Sequence, residues 1–226
     1  MKKMITMMMA AVLALSMFTG CGNTKTEDNE AVADSDKKVI TMATNAEFPP
    51  FEFVASKGVI GEFDGIDIAI ADQIAKDNGM VAEIANMEFD SLLIALENGQ
   101  VDAVIAGMTV TEERLEAVDF STPYYLATQV MIVKEDSAIA KATDMADKTI
   151  AVIQGYTGEI CVKDMGYNYT SFKKGTDAVM ELVNGKADVV VIDSATGKAL
   201  AEKNDLKVVE DPEVFETEKY AIAVDK

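Results

Sequence analysis

From residue 39 onward, short apolar runs alternate with stretches in which apolar residues recur every three to four positions. "VITMAT" (39–44) reads as a strand, ended by Asn45 and the turn "FPPF". "FEFVASKGVIGEF" (51–63) reads as a hairpin with Gly58 in its loop. Ile66, Ile70 and Ile74 fall at helical spacing, and Gly79 follows as a helix stop, so an amphipathic helix is predicted from Ile66 to Asn78. "MVAEIANM" is a second strand. Asp90 is placed to cap the helix "SLLIALEN", which Gly99 ends. "VDAVIAGMT" reads as a buried strand, and Thr109-Val110-Thr111-Glu112 has the spacing of a capping box, so a short helix should begin near Thr111.

The alternation then restarts. "KTIAVIQG", "YTSF", "ADVVVID" and "LKVVE" read as strands, separated by helices in "GEICVKDMG", "TDAVMELVNG" and "SATGKALAEKN". Strands alternating with helices predict an α/β fold with mainly parallel sheets. The restart carries a self-match: "LENGQVDAVIAG" (96–107) aligns with "LVNGKADVVVID" (182–193). Two lobes of one architecture explain it, and so in part does a generic strand–helix–strand rule. On the first reading Gly107 and Asp193 are equivalent, each at the carboxyl end of a strand, the edge where open α/β sheets bind ligands. The runs "YYLATQVMIVKED" (124–136) and "EKYAIAVDK" (218–226) would carry the chain between lobes as a two-strand hinge. The expected division is lobe one over 38–125 and 221–226, and lobe two over 126–220.

The amino terminus follows another pattern. Lys2 and Lys3 precede an apolar run from Met4 to Phe18, then Thr19, Gly20 and Cys21. A basic start, a short apolar core and small residues describe an export signal over 1–20. The polar segment 21–37 has no aromatic residue and no period, so it reads as a flexible tether. The whole chain carries a net charge of −19; loss of Lys2 and Lys3 with the signal takes this to −19 − 2 = −21. Such acidity opposes nucleic-acid binding.

Absent residue types remove whole chemistries. With no histidine, Ser-His triads and His-ligated metals are excluded, and no cofactor or metal is expected. The second cysteine, Cys161, reads as a small packing residue. Of the 20 basic residues one is an arginine, Arg114, in "TVTEERLEAVDF". Lysine serves as cation everywhere else. A guanidinium differs in offering a planar, bidentate grip on a carboxylate.

The cleft inventory suits a zwitterion. Lobe one offers Phe48, Phe89, Gly107, Thr109 and Arg114; lobe two offers "QGYTG" with Thr157, and Asp193. Arg114 would take a carboxylate, with help from the Thr109 and Thr157 hydroxyls. Asp193 would accept from an ammonium, and Phe48 and Phe89 would flank the side chain.

From Val39 to Lys226 the chain resembles the family 3 extracellular solute-binding proteins, the amino-acid receptors of bacterial ABC importers. The resemblance rests on "ATNAEFPPFEF", "EFDGIDIAIADQIA", "MEFDSLLIALENGQVDAVIAGMTVTEERLEAVDFSTPYY", "VIQGYTGE" and "ADVVVIDSAT", in that order. It implies a two-lobed periplasmic-binding-protein fold of type II. It implies a ligand carboxylate on Arg114, Gly107, Thr109 and Thr157, an amine on Asp193, and aromatic walls at Phe48 and Phe89. Asn45 falls at a position that reads the ligand side chain. "FTGC" is similar to a lipobox, which implies lipidation of Cys21 and an anchor on the outer face of the cell membrane. The implied partners are a free amino acid, with a polar one preferred, and the permease subunits of an importer, for a monomeric receptor. Tyr156 departs from the Ser or Thr usual at its position. Relatives continue past "AVDK" with one or two helices packed on lobe one, so the chain reads as truncated there. Two other readings of the same scaffold stay open: a cyclohexadienyl dehydratase-like lyase, which needs a raised-pKa carboxyl in the cleft, and a ligand-sensing module.

Overall fold

In a computed structural model the structure describes residues 37–226. The signal peptide, Cys21 and the tether except for Lys37 lie outside the described residues.

In chain order, lobe one contains β1 (Val39–Thr44), β2 (Glu47–Phe48), β3 (Glu52–Val54), β4 (Phe63–Asp64), α1 (Ile66–Asp77), β5 (Val81–Asn86), α2 (Leu92–Glu97), β6 (Ala103–Val104), α3 (Glu112–Ala117) and β7 (Asp119–Phe120). The chain crosses at β8 (Tyr125–Ala127). Lobe two holds β9 (Gln129–Val133), β10 (Ile150–Ile153), α4 (Thr157–Asp164), β11 (Tyr169–Phe172), α5 (Gly175–Val183), β12 (Val189–Asp193), α6 (Ser194–Lys203) and β13 (Lys207–Val209). It returns through β14 (Glu218–Tyr220) and ends in lobe one at β15 (Ala223–Val224).

Each lobe is built on a five-stranded sheet, in the orders β5-β1-β6-β15-β7 and β11-β10-β12-β9-β13. The sheets are mixed, which corrects the mainly parallel expectation. In each, two ladders are parallel and two antiparallel. The reason lies in the crossovers. A parallel neighbour needs an intervening helix to bring the chain back to the same edge. β9 and β15 enter their sheets straight from the hinge strands, with no helix before them, and so run against their neighbours.

The two sheets share one plan, as the self-match suggested. β6 and β12 each border the strand that opens their lobe's parallel set, β1 and β10. The preceding helices α2 and α5 both stop at Asn-Gly, where Gly99 and Gly185 adopt φ of 64° and 72°, the left-handed C-cap that glycine alone enters without strain. Lobe two packs Val130, Ile132, Ile153, Val190 and Ile192 on one face of its sheet and Met131, Val133, Ile150, Val152 and Val191 on the other. This is the near-continuous apolar run of a strand buried on both sides.

Three local expectations change. Helix α1 buries Asp67, Ile68, Ala71 and Ala75, while Ile66 is 40% exposed. The two alanines let the helix approach the sheet closely, and Asp67 is drawn inward by partners described below. Asp90 does not cap α2, whose N-cap is Ser91 without a side-chain bond; its carboxylate instead accepts from Gln154 Nε2 of the other lobe at 2.9 Å. The long run 124–136 breaks at Thr128 into β8 and β9. Thr111 does cap α3, accepting the Arg114 backbone N–H at 3.2 Å. The hinge ladder pairs Tyr220 with Tyr125, Lys219 with Leu126 and Glu218 with Ala127.

Candidate functional site

Residues just past the carboxyl end of β6, Ala106 and Gly107, and the residue that ends β12, Asp193, meet at one cavity. Phe48, Phe89, Ala106, Gly107, Thr109, Arg114, Tyr156, Thr157 and Asp193 line this one narrow cavity of about 10 Å³. Seven of the eight ligand-binding residues read from the sequence are therefore brought together. The eighth, Asn45, is buried beside the cavity, where its Nδ2 donates to the Met87 carbonyl at 2.9 Å and its Oδ1 accepts from the Tyr156 hydroxyl at 3.3 Å.

Arg114 reaches the cavity from α3. The guanidinium donates to the Thr109 carbonyl in its own lobe at 2.7 Å and to the Gly155 carbonyl in the other at 2.9 Å. Its carbon lies 5.3 Å from the Phe89 ring centroid, over the ring face. Among the described residues no carboxylate pairs with it within 4.0 Å. It makes no ion pair with its chain neighbours Glu112, Glu113 or Asp119. Burial lowers its pKa from the ordinary arginine value, an effect that Asp193, Glu218, Glu113 and Tyr156 oppose. A partly buried guanidinium bonded to two carbonyls still has N–H groups to give, and its charge is uncompensated at contact distance.

Asp193 ends β12 and is 3% exposed. It stands at the N-cap position of α6 but makes no side-chain cap; its Oδ2 accepts from the Tyr220 hydroxyl at 2.6 Å. Burial, then the nearby Glu218 charge, push its pKa up to about 7. That meets the condition set for a lyase. It is also how an ammonium-binding carboxylate behaves before its cation arrives, because desolvation and a like charge both disfavour the ionised form.

The aromatic wall is larger than Phe48 and Phe89. Tyr156 packs edge-on to both, with centroids 5.4 Å and 4.5 Å away. The departure at this position therefore fills the cleft with a third ring and ties it to Asn45. Gly107 has φ +50°, and a Cβ there would lie 2.6 Å from a Phe48 ring carbon. Only glycine satisfies both the conformation and the space. Cys161 is partly buried against the lobe-two core, and burial lifts its thiol to about 11. That fits a packing residue rather than a reactive thiol.

Behind the cavity lie carboxyls that the sequence patterns did not single out. Asp67 Oδ2 accepts from the Gly107 N–H at 2.7 Å and from the Tyr124 hydroxyl at 2.8 Å. Beside it Glu52 is 0% exposed, and neither of its oxygens has a donor from another group. Burial first, then the adjacent Asp67, raise the Glu52 pKa well above its usual 4.5. Burial raises Asp67 from 3.8. One proton shared by the pair accounts for this geometry: a neutral Glu52 donates to Asp67, and Asp67 holds Gly107 in place. A raised folded-state pKa contributes stability that is full below the unfolded value and lost as pH rises through the folded one. Glu52→Gln, which carries a permanent donor, should thus melt close to wild type at pH 4 to 5 and be more stable at pH 8 by about 1 kcal/mol or more. Thermal melts at the two pH values measure this, and equal pH dependence in both proteins would refute the shared proton.

Glu218, Gln129 and Tyr220 were also missed. Glu218 and Tyr220 are two apart on β14, so both point to the same side, and strand parity in "EKY" was the available signal.

Residues 40–203 match the bacterial extracellular solute-binding proteins, family 3. The arginine-binding extracellular protein ArtP of Bacillus subtilis is 32% identical over 209 residues, covering 91% of this chain and 78% of that protein. Among solved structures, the arginine-, lysine-, histidine-binding protein ArtJ of Geobacillus stearothermophilus superposes with a TM-score of 0.78 at 35% identity, covering 84% of this chain and 83% of that one. The arginine-bound form of truncated ArgBP from T. maritima gives 0.77 at 41%, covering 85% and 90%. The chain belongs to the family 3 bacterial extracellular solute-binding proteins, with their two-lobed α/β fold. These relatives are named for binding, not for catalysis.

Proposed function

We propose that the protein is the extracytoplasmic receptor of an ABC-type amino-acid importer, and that its ligand is a cationic amino acid, with L-arginine first. One observation carries the amino-acid reading: Arg114 from lobe one and Asp193 from lobe two line the same buried cavity. The Arg114 guanidinium takes the α-carboxylate and Asp193 takes the α-ammonium. Gly107 closes the backbone wall, and Phe48, Phe89 and Tyr156 flank the side chain.

The charge balance supports a cationic side chain. Around one cation, Arg114, stand Asp193 and Glu218, with the Glu52–Asp67 pair behind. A zwitterion leaves that balance unchanged, whereas a ligand bearing a further positive charge offsets it. Three aromatic rings also suit a planar guanidinium. The names of ArtP, ArtJ and ArgBP point the same way. This sharpens the broader preference for a polar ligand drawn from the sequence.

Binding joins groups from both lobes, so ligand favours the closed form by its differential affinity for it. The closed pair of lobes is what the permease recognises. The hinge bends where β8 and β14 cross, at the 125/126 and 220/221 boundaries. The receptor is held at the outer face of the membrane by a lipid on Cys21, at the end of the tether 21–37.

A melting-temperature screen tests the ligand class. L-arginine, L-lysine and L-histidine should raise the melting point at micromolar to millimolar concentration, L-arginine most. L-glutamate should leave it unchanged. A larger shift with L-glutamate or L-glutamine than with L-arginine would overturn the cationic assignment while leaving the amino-acid reading intact.

A further inference from the structure

Glu218 reaches from the hinge to Thr109 and Thr157 at the edge of the site, and its contacts conflict with the roles read for those two threonines. Its Oε2 accepts from Thr109 Oγ1 at 2.7 Å and from Thr157 Oγ1 at 2.7 Å. Gln129 Nε2 donates to Glu218 Oε1 at 3.2 Å and to Thr157 Oγ1 at 3.0 Å. A carboxylate is an acceptor only, so both hydroxyl protons point at Glu218. A hydroxyl has one proton to give. While Glu218 holds them, neither threonine can donate to the carboxylate of a bound amino acid.

The same contacts join the lobes. Thr109 follows β6 in lobe one, and Thr157 opens α4 in lobe two. Strand β14 is bonded to lobe one through the Val110 N–H and the Lys219 carbonyl at 2.9 Å. The Glu218–Thr157 bond therefore fastens the first turn of α4 to that strand. Both hydroxyls are nearly buried, with Thr109 5% and Thr157 7% exposed. Glu218 is partly exposed and also lines an open groove on the hinge side with Val110, Ile160 and Cys161. It has somewhere to go when displaced.

We propose that Glu218 is an internal stand-in for the ligand's α-carboxylate, which holds Thr109 and Thr157 across the cleft until an amino acid displaces it into the hinge-side groove. Glu218 thereby tunes affinity. Every binding event exchanges one carboxylate for another on the same two hydroxyls, so the net gain per contact is small. The closed form is partly occupied before ligand arrives, and the binding-competent fraction is reduced accordingly. This rests on the amino-acid reading above.

The test compares wild type, Glu218→Ala and Glu218→Gln in the mature chain. Calorimetry with L-arginine should show Glu218→Ala binding about tenfold tighter than wild type, with Glu218→Gln between them because its amide keeps a weaker acceptor. Small-angle scattering of the three proteins without added amino acid should show a larger radius of gyration for Glu218→Ala, since the link from α4 to β14 is gone. Weaker or unchanged arginine binding in both variants would overturn the proposal, because Glu218 would then orient the hydroxyls for the ligand or take no part. If wild type binds no amino acid, the functional reading fails, and scattering still decides: an unchanged radius for Glu218→Ala rejects the stand-in. Circular dichroism of Glu218→Gln checks the fold with the smallest change in shape.

Discussion

Arg114→Lys weakens L-arginine binding by well over tenfold, and Arg114→Ala by about a hundred- to a thousandfold, with melting of the ligand-free protein nearly unchanged. Removing one partner from a buried, hydrogen-bonded charge pair costs roughly 3–5 kcal/mol, because the other charge is left uncompensated. Lysine keeps the charge but not the fork. Its ammonium cannot span the Thr109 and Gly155 carbonyls and still present a bidentate edge to a carboxylate. Calorimetry measures the loss. A lysine variant that binds like wild type would mean that charge alone is used, and the solitary arginine would lose its explanation.

Asp193→Asn is the second large effect, and it depends on pH. With its pKa pushed up to about 7 by burial and by Glu218, Asp193 is mostly protonated at pH 5 and ionised at pH 8. The ammonium of a ligand needs the ionised form, so wild-type affinity should fall by up to tenfold per unit as pH drops below about 7. Asparagine cannot ionise. The variant should bind about a hundredfold more weakly than wild type at pH 8, and the gap should shrink to a few-fold at pH 5. Stability moves the other way. A carboxyl with a raised folded pKa contributes fully below its unfolded value near 4 and loses that contribution as pH rises through 7. The ligand-free variant should therefore be the more stable protein at pH 8. Affinities that differ by the same factor at pH 5 and pH 8 would show that Asp193 does not exchange its proton for an ammonium.

Much of this site was legible in the residues because two kinds of signal survive without a structure. One is periodicity. The Asn-Gly stops of α2 and α5, repeated at a constant offset, reported a duplicated strand end and so placed Gly107 opposite Asp193. The other is an exception to usage. A single arginine in a chain that otherwise relies on lysine marks a position where geometry matters more than charge. What the sequence hid follows from long-range pairing. Asp90 looks like a helix cap because Asp before an apolar run normally is one, yet Gln154, 64 residues away, captures it. Ile66, Ile70 and Ile74 look like the buried stripe of α1, but Gly107 and Tyr124 pull Asp67 inward and rotate the buried face by one residue. The sheets looked parallel because the helices between strands were visible and the direction of entry from the hinge was not. Glu218 was passed over because a carboxylate on a crossing strand of an acidic protein is the least conspicuous residue there is.

The pairing of the ligand carboxylate with Arg114 is tested most directly by a cycle of two proteins and two ligands: wild type and Arg114→Ala, each titrated by calorimetry with L-arginine and with agmatine, which is arginine without its carboxylate. If the carboxylate rests on Arg114, agmatine binds wild type about a hundredfold or more weakly than L-arginine, and that difference largely disappears in the alanine variant. If agmatine loses the same factor in both proteins, the carboxylate is held elsewhere and the ligand does not lie with that end on Arg114.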